Sequence, residues 1–121
     1  MGSEEKAKGP QNVLRELPNM PGSRKTIPIC TGVLDYFPLA LAEIAKVSRA
    51  GNDQHNPGQP LHWNRGKSSD HADCVVRHLI ERGVIDSDGM RHSAKAAWRM
   101  LALLQEELEA EAGFTPAPET K

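Results

Sequence analysis

Imidazoles and carboxylates crowd the stretch 62–92, where His62, His71, His78 and His92 alternate with Asp70, Asp73, Asp86 and Asp88 among good helix formers. Such groups at a helix–helix junction suit the holding of a metal ion or a phosphate. Asp70 and Asp73 are neighbours on a helix face and can coordinate magnesium, with Arg77 one turn further on. The same spacing also serves plain structure, since acids in a first turn complement the helix dipole and Asp73 with Arg77 makes an ordinary ion pair. His71 and His78 stand two turns apart, too far to share a zinc ion. The adjacent Arg77 and His78 suit a phosphate instead. The turn Asp86-Ser87-Asp88-Gly89 lacks the closing Glu of a calcium loop, which leaves its aspartates as turn formers or as a magnesium ligand near a following helix.

Two further groups carry possible chemistry. Glu43 interrupts the apolar run LALAEIAKV, where a carboxylate must face solvent or find a partner, and it is the acid of that segment best placed to look into a site. Trp63 lies in a loop with His62, His55, Arg65 and Lys67, a mixture that suits stacking on a nucleobase and neutralising its phosphates. A lone Trp also serves to pin such a loop onto helices.

Three helical patterns must position these residues. The first starts at Pro38, which tolerates a first helical turn because it has no N–H to orphan, and runs toward Gly51. The second follows Ser68 or Ser69 as cap, sets Ala72, Val75, Val76, Leu79 and Ile80 on one stripe expected to face the core, and stops at Gly83. The third runs from His92 or Ser93 to Gly113, with Ala94, Ala97, Trp98, Leu101 and Leu108 on one face and Ala96, Met100 and Leu103 beside them. That surface is wider than one stripe and suggests a central helix packed on two sides or a face shared with a second subunit. Prolines favour an extended strap over residues 26–34, and the loop 51–67 is long for a connector. The expected architecture is therefore all-α, a three-helix core with an N-terminal strap and a long loop between the first two helices, assembled as a homo-oligomer. Its divisions are an arm (1–25), one helical domain (26–113) and a tail (114–121).

Composition narrows the class. The chain of 121 residues is 38% hydrophobic, enough for one modest core, and its net charge of −1 gives no global field for duplex nucleic acid. Cys30 and Cys74 form no C-x-x-C pair, no signal-like leader precedes the domain, and no apolar run is long enough to span a bilayer. A reducing, cytoplasmic location without membrane partners is the expectation.

The order P-L-A-L-A-E-I-A-K-V, G-N-D-Q-H-N…H-W, D-H-A-D-C-V-V-R-H-L-I-E-R-G and D-S-D-G-M-R-H-S-A-K-A-A-W-R-M-L resembles a small phage-associated family, the dATP/dGTP diphosphohydrolase N-terminal domain. The likeness covers roughly residues 24–108. Its motifs correspond here to the span from Gly51 to Trp63, to Arg77-His78-Leu79, and to the span from Asp86 to His92. The resemblance implies hydrolysis of deoxypurine nucleoside triphosphates to monophosphate and pyrophosphate. It is similar to the all-α MazG-type reaction, in which magnesium held by acids on neighbouring helices activates a water. On that reading Glu43, Asp70 and Asp73 are catalytic metal ligands joined by Asp86, with magnesium or manganese as the ion. His62, Trp63, Lys67, Arg77, His78 and His92 bind the nucleotide, in the cytoplasm of an infected bacterial host. The MazG carboxylate cluster E-E-x-x-E is absent, however. Either Asp86, Asp88 and His92 complete the site, or the chain sequesters a nucleotide or cyclic-nucleotide signal of host defence without cleaving it.

Overall fold

A computed structural model describes residues 25–63, 65 and 69–113. The expected arm, apart from Lys25, and the tail lie outside the described residues, as does Lys67. The described chain is all-α. Residues 26–34 do not extend as a strap. Cys30–Leu34 coils into one π-helical turn, closed by the Asp35 N–H donating to the Cys30 carbonyl at 2.8 Å. Pro28 precedes this turn and accepts through its carbonyl from Gly32 N–H at 2.7 Å.

Helix α1 spans Pro38–His55, with Pro38 in its first turn as the sequence predicts. It runs through Gly51 instead of stopping there, which places His55 at its end and not in the loop. The terminus is set by two asparagines. Asn56 Nδ2 donates to Asn52 Oδ1 at 3.3 Å, and Asn52 in turn fastens the returning loop through Gln59 O (3.1 Å) and His62 N (3.0 Å). These buried amides replace the helix-breaking effect of one glycine, which is only about 1 kcal/mol.

Helix α2 spans His71–Ile80 and has Asp70, not a serine, at its N-cap position, without a side-chain capping hydrogen bond. It stops ahead of Gly83, whose φ of 88° only glycine adopts without strain. A tight turn follows, with Gly89 at φ 85° and an antiparallel bridge between Ile85 and Arg91. Helix α3 spans His92–Glu111, and Gly113 at φ 77° ends it.

Helix α3 packs against both α1 and α2, as its broad apolar surface suggested. The expected core stripe of α2 does not face it. Val76, Leu79 and Ile80 are 50–73% exposed, while His71 and Cys74 on another face of α2 are buried. Small side chains set the contact: Cys74, Ala94, Ala96 and Ala102 form the buried apolar set, and they let the backbones approach closely. The remaining buried groups are polar, namely Asn52, Asn56, Arg65, His71, His92 and Glu109. Leu101, Leu104 and Leu108 of α3 are also about half exposed. Among the described residues, most of the fully buried side chains are thus polar, while many large apolar ones are exposed.

Candidate functional site

All five histidines of the chain line one pocket of about 670 Å³. Its walls are the C-terminal half of α1 with His55, the loop with His62 and Trp63, α2 with His71, Arg77 and His78, and α3 with His92, Lys95, Trp98 and Arg99. On α3 these four fall at helical spacing, so one face of one helix delivers an imidazole, two cations and an indole.

Three polar clusters organise the walls. Lys95 Nζ donates to Asp86 Oδ2 at 2.8 Å and to Asp88 Oδ2 at 2.7 Å. The Lys95 hydrogen bond, aided by the Ser87 N–H, holds the Asp86 carboxyl down at about 2. Arg99 reaches Asp70 Oδ1 at 3.4 Å and His71 Nδ1 at 3.2 Å. The guanidinium can only donate, so His71 accepts at Nδ1 and carries its hydrogen on Nε2. That Nε2 is buried without a hydrogen-bond partner among the described residues, and the nearest carboxylate oxygen, on Glu106, stands 3.6 Å away. The third cluster is the imidazole pair His78 and His92, whose Nδ1 atoms lie 2.9 Å apart. Burial lowers the pKa of His78, and the positive charges of Arg77 and Lys95 push it the same way.

The loop side is held by an aromatic and ionic stack. Trp63 meets Trp98 edge-on with centroids 5.5 Å apart, and the Arg65 guanidinium lies 3.8 Å over the Trp63 ring. Arg65 also donates to Glu109 at 2.8 Å in a pair whose side chains are 6% and 3% exposed. Trp63 therefore both anchors the loop and lines the pocket.

The expected residues separate into two groups. His62, Trp63, Arg77, His78, His92 and Asp86 all line the pocket. Glu43, Asp70 and Asp73 do not. Glu43 is paired with Lys46 at 2.9 Å on α1, Asp70 faces Arg99, and Asp73 is exposed in the first turn of α2. Arg77 turns to Cys74 Sγ at 3.4 Å in place of the expected ion pair with Asp73. Among the described residues no three His, Cys, Asp or Glu side chains are placed to hold a metal ion. Sequence reasoning overlooked His71, Lys95, Trp98 and Arg99 as pocket residues, although the spacing from His92 along α3 was a usable signal.

A family model described as dATP/dGTP diphosphohydrolase, N-terminal, covers residues 23–114. No curated protein and no solved structure matches the chain.

Proposed function

Because the chain belongs to the dATP/dGTP diphosphohydrolase N-terminal family, we propose that its histidine-lined pocket binds a deoxypurine nucleoside triphosphate and cleaves it to monophosphate and pyrophosphate. The observation that carries this reading is the convergence of Arg77, Lys95 and Arg99 with Trp63 and Trp98 on one cavity. Three permanent cations suit a triphosphate, the indoles offer a purine a stacking face, and about 670 Å³ lies inside the ~300–1,000 Å³ range of small-molecule sites. The chemistry requires water to attack phosphorus while the charge on the triphosphate is neutralised; Arg77 lines the pocket for this, and Lys95 and Arg99 join it as the phosphates displace Asp86, Asp88 and Asp70 from them.

The expected set Glu43, Asp70, Asp73 and Asp86 does not fit a protein-held magnesium or manganese ion. Glu43, Asp70 and Asp86 are each engaged by a cation of the protein, and the four do not converge. This same observation favours a second reading, in which the pocket captures a nucleotide or cyclic nucleotide and releases it unchanged.

The outward apolar stripe of α2 and the half-exposed leucines of α3 support assembly into a homo-oligomer, since the fully buried apolar side chains among the described residues are three alanines and one cysteine. No helix among the described residues is long and apolar enough to cross a membrane, and Cys30 and Cys74 are both free, in keeping with a reducing cytoplasm.

The test is incubation of the purified chain with deoxy- and ribonucleoside triphosphates and with cyclic di- and trinucleotides, with and without magnesium, followed by chromatography of the ligand. Conversion of dATP or dGTP to the monophosphate supports the hydrolase. Tight retention of an intact ligand supports sequestration, and no interaction with any nucleotide removes both.

A further inference from the structure

His78 and His92 form a directional pair. With Nδ1 atoms 2.9 Å apart, one proton lies between the rings, so one imidazole donates and the other accepts. The far side of His92 decides which. Its Nε2 faces Glu81 Oε1 at 3.6 Å and Asp86 Oδ2 at 3.9 Å, and two carboxylates at that end favour the hydrogen on Nε2. His92 Nδ1 is then the acceptor, and His78 donates through its own Nδ1. This leaves the lone pair of His78 on Nε2, which has no protein partner among the described residues, on a side chain that lines the pocket.

His92 is fixed in this role by burial, being 6% exposed, and by its position at the start of α3. His78 is less enclosed, at the far end of α2. The groups facing the pair are Arg77 from α2, Glu81 just after it, Asp86 from the turn and Lys95 from α3, while His55 of α1 lines the same pocket. Burial, and after it the charges of Arg77 and Lys95, disfavour a protonated His78, in keeping with a free lone pair on Nε2.

Resting on the hydrolase reading above, we propose that His78 is the general base of the reaction and that His92, backed by Glu81 and Asp86, is the positioning residue that fixes its tautomer. Water donates a proton to His78 Nε2 as its oxygen forms a bond to the α-phosphorus. The bond from that phosphorus to the oxygen bridging to the β-phosphorus breaks, and its electron pair leaves with pyrophosphate. The deoxynucleoside monophosphate remains, and His78 returns its proton to solvent when the products depart.

The test uses the full chain, dATP and dGTP as substrates, and an analogue in which a methylene group replaces the α–β bridging oxygen. His78→Gln is expected to lower kcat by about 100-fold or more while analogue affinity stays within about threefold. His78→Ala is expected to regain turnover with added imidazole, which separates loss of a base from loss of structure. His92→Asn should lower kcat and displace the acidic limb of its pH profile without matching loss of analogue binding. Turnover of His78→Gln within about threefold of wild type overturns the base assignment alone, as does loss of analogue affinity by the same factor as kcat/KM. A wild-type chain inert toward both substrates overturns the hydrolase reading and this one with it.

Discussion

Removing Glu109 should unlock the loop that carries Trp63. Arg65 and Glu109 meet at 2.8 Å with both side chains almost wholly enclosed, and Gln105 Nε2 donates to the same carboxylate oxygen at 2.8 Å. At that separation and an effective dielectric of about 20, the gross attraction is about 6 kcal/mol. Much of it offsets desolvation of the two ions, so the pair itself adds little. Deleting one partner is different, because a buried charge then loses the opposite charge it faces, at a cost of up to about 3–5 kcal/mol. Glu109→Leu removes the carboxylate that the Arg65 guanidinium meets at 2.8 Å, in a side chain only 6% exposed. For a chain of this size the melting temperature should fall by roughly 10–20 °C. The double variant Arg65→Met/Glu109→Leu restores neutrality and should recover most of that loss, short of about 1 kcal/mol for the stacking of Arg65 on Trp63. Urea unfolding followed by circular dichroism, at one fixed protein concentration, measures all three proteins. The reasoning is refuted if Glu109→Leu unfolds within about 1 kcal/mol of wild type, or if the double variant is no more stable than the single one.

Other consequences follow from the same geometry. Trp63→Ala should weaken deoxypurine triphosphate binding by about 1–3 kcal/mol, and quenching of the remaining Trp98 fluorescence by nucleotide would report it; unchanged affinity would confine Trp63 to anchoring the loop. Ile80→Glu with Leu79→Glu should shift the sedimentation profile toward monomer, and an unaltered profile would place the interface elsewhere. His78 has a folded pKa below its unfolded value of 6.5, so between the two values the unfolded chain binds more protons and stability rises with pH. Unfolding midpoints should therefore drop on moving from about pH 7.5 to about pH 5.5, and part of that drop should vanish in His78→Gln. Asp86 titrates at about 2 when folded against 3.8 otherwise, so its contribution is present above 3.8 and is lost as pH falls toward 2. Lys95→Met, which removes the cause, should flatten the acid limb of stability, and an identical acid limb would dismiss the pairing.

Local rules made much of the fold legible. Pro38 starts α1, and Gly83 and Gly113 close α2 and α3, because a missing N–H and a positive φ are properties of single residues and act wherever the chain goes. The spacing of His92, Lys95, Trp98 and Arg99 already committed them to one helix face, and the motif order already tied the chain to its family. Periodicity also drew the apolar stripe of α2, but it could not say which face of α2 meets α3. Docking settled that, since Cys74 with Ala94 and Ala96 permits a close helix contact while Leu79 and Ile80 are left outside. The caps followed suit: Asp70 displaced the serines as N-cap of α2, and the Asn52–Asn56 pair carried α1 past Gly51. Tertiary structure alone brought His55 and His62 to the pocket of His71, His78 and His92, and joined Arg65 to Glu109 across 44 residues. It also kept Glu43, Asp70 and Asp73 out of that pocket. Spacing along a helix fixes neighbours within about two turns. Which side chains converge from different helices depends on packing angle and side-chain size, and these exist only once the helices have met.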